Sequence, residues 1–316
     1  MNLFEKLYTL IILSAVAIGI AAGQIDFLRE NSEIIILPLL VLMLYITFLQ
    51  IPLERMKQAF GNLKFTSASL WINFLWTPLL AWLLASIFLV DQPALFIGFI
   101  MLLVTPCTDW YLIFTGIGKG NTALSAAILP INLVLQVVLL PVYLLLFTGV
   151  SGTIKLSSLL GDIGTVLLLP LLLAAITRTL LRKKPYLTEG LSTKLSSFPL
   201  IFLSFAIAAM FASQGTLLFD NLDLLLSLLL PTLLFFFINF FVGQTIGKFL
   251  NFSYEDKVSL SLTTLARNSP IALAIAMTAF PDQPLIALTL IIGPLLELPI
   301  LALITEILIK LRNGVS

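Results

Sequence analysis

From Leu7 to Leu311 the sequence is a run of apolar stretches parted by short polar joints, and ten of these stretches are long enough to cross a bilayer. Spanning about 30 Å of hydrocarbon at about 1.5 Å per helical residue takes about 20 residues. The windows run approximately from Leu7 to Gly23, Ile34 to Leu53, Leu70 to Val90, Leu95 to Thr115, Thr122 to Thr148, Ile163 to Leu181, Leu195 to Phe211, Leu222 to Leu250, Val258 to Phe280, and Pro284 to Leu311. With 59% hydrophobic and only 10% charged residues, the chain has too little polar surface to cover a water-soluble globule. An all-α membrane protein of about ten transmembrane helices follows. The first window lacks a convincing small-residue cleavage site and many equally apolar windows come after it, so it reads as a span.

Several functions are set aside at once. There is no histidine and one cysteine, Cys107, so neither an internal disulfide nor a Cys/His zinc cluster is expected, and any proton relay must use carboxylates. No phosphate-binding loop is present, the basic residues form no stripe for nucleic acid, and no nucleophile-base pair or cofactor motif is visible. An enzyme is not expected.

Counting Lys and Arg in alternate joints gives 14 of 17 on one side: Lys6, Arg55, Lys57, Lys64, Lys119, Arg178, Arg182, Lys183, Lys184, Lys194, Lys248, Lys257, Lys310 and Arg312. Arg29 and Lys155 lie on the other side, and Arg267 falls inside a span. The positive-inside rule then places both termini in the cytoplasm of a cell or inner membrane protein. The fourth and ninth windows are the most interrupted, at Thr105-Pro106-Cys107 and at Asn268-Ser269-Pro270. Pro106 and Pro270 are 164 residues apart, and the first and sixth windows start 156 apart, which divides the chain into residues 1–150 and 151–316. Five spans per half makes the halves inverted repeats. Paired broken helices in inverted repeats point to a binding site near the midplane of a secondary transporter.

Arg267 is a fixed charge at the depth of hydrocarbon and requires a partner, a wet cavity or a ligand; the candidate partners are Asp109 and Glu297. Asp109 follows the first break and is either a helix cap or a functional acid. Cys107 is either a small buried hydrophobe or a soft ligand for a thiophilic solute. Glu297, between two prolines, is costly to ionise at its depth, and is either a candidate proton carrier or a protonated or paired structural residue at a bend. Asn132 and Gln136 are four residues apart and share a helical face, suited to lining a cavity or to binding neighbouring helices. Phe235 to Phe237, with Phe240 and Phe241, read as lipid-facing bulk.

These residues resemble the bile acid:sodium symporter superfamily, and within it the arsenite-efflux permease branch. The stretch from Cys107 to Lys119-Gly120-Asn121 is similar to the fourth-span cysteine and turn of those permeases, and Gly293-Pro294-Leu295-Leu296-Glu297-Leu298-Pro299 to their tenth-span motif. Asn268-Ser269 is similar to the ninth-span crossover of the bile-acid branch. The resemblance covers essentially the whole length and implies a panel domain and a core domain, each drawing spans from both halves, with the fourth and ninth helices crossing near the midplane. It also implies where sodium would bind in coupled members. Two of those positions here are Thr263 and Arg267, the fourth-span ligands become Tyr111 and Leu112, and Ser125 alone is kept. Against the arsenite permeases, the ninth-span acid falls at Ala272 and the residue before the cysteine is Pro106.

The expectation is a secondary active transporter working by alternating access, arsenite-efflux-like, with the proton favoured over sodium as coupling ion. Two alternatives stand beside it: a sodium- or proton-coupled symporter of organic anions, and an uncoupled, channel-like facilitator. The candidate binding or coupling residues are Thr105, Cys107, Asp109, Ser125, Asn132, Arg267, Asn268, Ser269 and Glu297, around breaks at Pro106 and Pro270. The expected partners are a small solute (a metalloid hydroxide or oxyanion, or an organic anion), the coupling ion and the lipid bilayer, with no nucleic acid, metal or cofactor.

Overall fold

The computed structural model describes residues 8–50, 61–107, 110–147, 156–181, 195, 198–220, 223 and 226–313. Asp109, both residues of the boundary at 150/151 and several of the counted lysines and arginines lie outside them. The described chain is helical: α1 (Tyr8–Ala22), α2 (Asp26–Asn31), α3 (Glu33–Gln50), α4 (Leu63–Trp71), α5 (Thr77–Phe88), α6 (Pro93–Leu103), α7 (Trp110–Ile117), α8 (Thr122–Phe147), α9 (Leu156–Leu181), α10 (Phe198–Asp220), α11 (Leu229–Phe249), α12 (Tyr254–Leu265), α13 (Ser269–Ala279) and α14 (Pro284–Asn313). Five helical stretches among these residues are long and apolar enough to cross a membrane: Glu33–Gln50, Leu63–Phe88, Thr122–Phe147, Leu229–Phe249 and Pro284–Arg312. Shorter apolar helices accompany them, and the protein is an all-α integral membrane protein.

Polar residues at the joints start the helices. Asn62 Oδ1 accepts from Phe65 N at 3.1 Å, Asn121 Oδ1 from Leu124 N at 3.1 Å, and Ser253 Oγ from Asp256 N at 3.1 Å, each supplying an acceptor to a first-turn donor. Lys119 and Asn251 take the left-handed conformation (φ 58° and 56°) that turns the chain sharply between helices. A π turn, Ile72–Trp76, joins α4 to α5 just ahead of Pro78. Pro78 has no N–H for the Phe74 carbonyl four residues back, and Tyr143 Oη donates to that oxygen at 2.6 Å, so the span continues.

The windows differ from the helices in their bounds. The seventh window, Leu195 to Phe211, corresponds to a helix of 23 residues, Phe198–Asp220, and the sixth begins at Leu156 rather than Ile163. Both helices run on into polar residues that a hydropathy window trims. Pro130 and Pro141 in α8, and Pro294 and Pro299 in α14, lie within continuous helices.

The chain divides into two compact units. In the first, which holds α1 to α3, α9, α10 and residues 270–291, α10 packs on α1 and α3, and α3 on α9. Gly19 and Gly23 face Ala208 and Ala212 so closely that a Cβ at Gly23 would lie 2.7 Å from the Ala212 carbonyl oxygen. Small residues four apart let two backbones approach, which is the packing device helices use in lipid. The second unit holds α4 to α8, α11, α12, Ser269 and residues from 292 onward. There α12 packs against α11, α7, α8 and α4, and α8 against α6, α7 and the π turn.

Within the second unit α14 passes close to α6. A Cβ at Gly293 would sit 2.6 Å from Leu102 Cδ1 and 3.0 Å from Ser269 Oγ, and Leu102 is buried. Overpacking of this kind costs about 1–3 kcal/mol. Gly293→Ala is therefore expected to lower the melting temperature of the purified protein by several degrees, and Leu102→Ala in the same chain to restore part of the loss. Equal melting of wild type and Gly293→Ala would show that the contact yields freely.

Candidate functional site

Among the described residues two spans are broken, and the breaks pair with each other. Helix α6 ends at Leu103 and α12 at Leu265, and beyond them residues 105–107 and 266–268 run antiparallel, with Pro106 opposite Arg267. Cys107 N donates to Ala266 O at 3.0 Å and Asn268 N to Thr105 O at 2.7 Å. Between these two bonds the central pair points its own amide positions outward. Proline fits there because no N–H is needed. The outward N–H of Arg267 is met by Glu297 Oε1 at 2.9 Å. Backbone that leaves a helix at membrane depth must be satisfied by protein, and here each break satisfies the other.

The Arg267 side chain is 2% exposed. Its guanidinium donates to Leu103 O at 2.8 Å, Leu265 O at 3.1 Å, Asn73 Oδ1 at 3.1 Å and Thr264 O, while Phe235 lies beneath it with 5.2 Å from the guanidinium carbon to the ring centre. Leu103, Thr264 and Leu265 are the last residues of α6 and α12, so one side chain caps the carbonyl ends of two half-helices. Each helix C-terminus carries about −0.5 of an elementary charge. Two of them together offset the guanidinium. The partner expected among the acids is thus largely backbone: Glu297 meets the main chain of Arg267, and the guanidinium bonds to carbonyl and amide oxygens.

Thr105 Oγ1 turns back to Met101 O at 2.9 Å and helps close the end of α6. Asn239 Nδ2 donates to Thr264 O at 2.7 Å, and Trp76 Nε1 donates to Asn239 Oδ1 at 3.0 Å, which ties α11 and the π turn to the end of α12. Cys107 is 3% exposed, and its Sγ accepts the backbone N–H of Trp110 at 3.3 Å. The thiol therefore takes a capping place at the start of α7, next to the crossover.

The structure brings Thr105, Pro106, Cys107, Arg267, Asn268 and Glu297 together. Asn268 and Ser269 are 4% and 3% exposed, and the Ser269 hydroxyl lies beside Gly293 without a hydrogen-bond partner. Ser125 and Asn132, both on α8, are fully buried and make no side-chain hydrogen bond. Pro270 follows the first residue of α13. Asn73, which bonds to the guanidinium, is signalled in the sequence only as a lone amide in an otherwise apolar run, and Phe235 and Phe236, expected to face lipid, are 0% and 3% exposed. Of the Phe run, Phe237 and Phe241 do face outward.

The model of the Sodium Bile acid symporter family matches residues 37–221, more than half of the sequence. The chain belongs to that family. Over 83% of its length it is 26% identical to the arsenical-resistance protein Acr3 of Corynebacterium glutamicum, of which 74% is covered. It is 23% identical over 97% of its length to an uncharacterized transporter of Synechocystis, with 88% of that protein covered, and 25% identical over 72% to the protein YbaS of Bacillus subtilis, with 74% covered. This member of the family is an integral membrane transporter of a small solute, coupled to an ion, and its family and relatives point away from catalysis.

Proposed function

We propose that the chain exports a metalloid hydroxide of the arsenite type by alternating access about the paired breaks, driven by protons. One observation carries the reading: the two breaks are closed on each other around a guanidinium whose charge is balanced by helix ends, with a carboxyl group hung on the adjoining backbone. Four of the five guanidinium N–H donors have carbonyl or amide acceptors, which leaves little for a substrate carboxylate. That favours a neutral cargo over an organic anion. A fixed cation bonded to this set of oxygens also repels a sodium ion from the same place. Among the described residues, Glu297 is the carboxyl group beside the crossover and the one able to take and release a proton there, and Gln136, Asn132 and Ser125 supply neutral polar lining on α8. Cys107, at the start of α7, offers sulfur to a thiophilic solute at a helix N-terminus, where negative charge is supported.

The same reading takes residues 1–150 and 151–316 as inverted five-span repeats and places both termini in the cytoplasm of a cell or inner membrane. In support, the joints at Lys119 and Lys257 and the end of α14 meet within the second unit: Asn121 Nδ2 donates to Asp256 Oδ1 at 3.0 Å, Tyr254 Oη to Gly118 O at 2.9 Å, and Arg312 lies 5.2 Å over the Tyr254 ring. All three are joints that the charge count assigns to one side.

Expression in arsenite-sensitive cells tests the cargo. Wild type is expected to confer resistance and Cys107→Ser to lose it while reaching the membrane in equal amount. Full resistance in Cys107→Ser would remove the sulfur from the mechanism, and no resistance from well-expressed wild type would remove arsenite.

A further inference from the structure

Asn132 and Gln136 are fully buried, and neither the nitrogen nor the oxygen of either side-chain amide has a hydrogen-bond partner. Native interiors pair nearly all such groups, and an unpaired one calls for an explanation: stored strain, a catalytic role, or a bound water, ion or ligand. The two amides project from one face of α8, four residues apart. Ser125 lies seven residues before Asn132, on the same stripe, with an unpaired hydroxyl of its own. The stripe is pinned at both ends. Tyr111 Oη donates to Ser125 O at 3.0 Å, and Tyr143 Oη donates to Phe74 O, in the π turn, at 2.6 Å. Held against α7 at one end and the π turn at the other, α8 keeps both amides on an inward face.

The chemistry of the pair limits what it accepts. A primary amide offers an acceptor oxygen and two N–H donors. A bound cation would use the two oxygens and leave both NH2 groups unpaired, and an anion would do the reverse. No Asp, Glu, Lys or Arg occurs anywhere in α8. A neutral solute with hydroxyl groups satisfies both halves of both amides, because each hydroxyl donates once and accepts as well. Release of such a solute is not opposed by a fixed charge.

We infer that the Asn132–Gln136 amide pair, with Ser125 at its edge, is a recognition site for a small neutral polyhydroxyl solute and reads the hydroxyl groups of the cargo separately from any bond to Cys107. Its role as a cargo site rests on the transporter reading above; binding at the site does not. Boric acid is the probe, since it is a neutral trihydroxide with no affinity for sulfur. Its binding is measured by titration calorimetry and thermal shift on the purified full chain, beside arsenite uptake into vesicles. Boric acid is expected to bind wild type and Cys107→Ser alike and to bind Asn132→Leu and Gln136→Met at least tenfold more weakly. Both apolar variants are expected to melt no lower than wild type, since each removes unpaired buried groups, and the near-isosteric Gln136→Met decides the matter should Asn132→Leu fold poorly. Unchanged boric acid binding in Gln136→Met, or none to wild type, overturns the site and leaves the amides holding water only. Boric acid binding that needs Gln136, together with no arsenite uptake, would instead retain the site and overturn the cargo.

Discussion

Arg267→Leu is expected to lower the melting temperature in detergent by on the order of 10 °C and to abolish transport. The leucine leaves the Leu103 and Leu265 carbonyls and the Asn73 side-chain oxygen without their shared donor, while Thr264 O keeps its bond from Asn239 Nδ2. Each buried acceptor so stranded costs about 1–3 kcal/mol, and loss of one partner from a buried charged network costs about 3–5 kcal/mol. At about 2–4 °C per kcal/mol for a chain of this class, the shift is well outside measurement error. Arg267→Lys is expected to fall close to the leucine variant, because an ammonium on a flexible stem does not reach four acceptors arranged around a planar fork. Melting curves of the three proteins check this. A lysine variant as stable as wild type would mean that charge alone holds the crossover, and a leucine variant as stable would mean that nothing there depends on it.

Glu297→Gln separates the proton from the geometry. Glutamine keeps an oxygen that can accept the Arg267 backbone N–H, so the crossover is expected to survive and the melting temperature to stay within about 2 °C. The amide does not exchange a proton. Driven transport is therefore expected to fall by two orders of magnitude or more and to lose its response to a pH gradient, while exchange of cargo across the membrane persists. Retention of wild-type pH response in Glu297→Gln would show that another group carries the proton.

Much of this was legible in the sequence because lipid imposes few solutions. Long apolar stretches announce helices, and a proline beside polar residues at mid-span announces a break, as at Pro106 and Pro270. Proline alone does not: Pro130, Pro141, Pro294 and Pro299 all lie in unbroken helices, since a bundle can re-pair the freed carbonyl. Arg267 and Glu297 were visible as costly charges, and the structure does place them side by side. Their relation was not visible, because the acceptors that satisfy the guanidinium are mostly backbone carbonyls, and every residue has one. Asn73 and Phe235 were hidden for another reason. Which face of a helix turns inward depends on neighbours far away in sequence, and a run such as Phe235 to Phe241 is apolar all round.

Purified protein reconstituted into sealed vesicles, with arsenite at equal concentration on both sides and an imposed pH gradient, puts the mechanism to trial without other components. Arsenite is expected to accumulate on one side above its starting level, the accumulation to collapse when a protonophore is added, and replacement of sodium by potassium to change nothing. Mere equilibration under the gradient, or accumulation that requires sodium, would contradict the account.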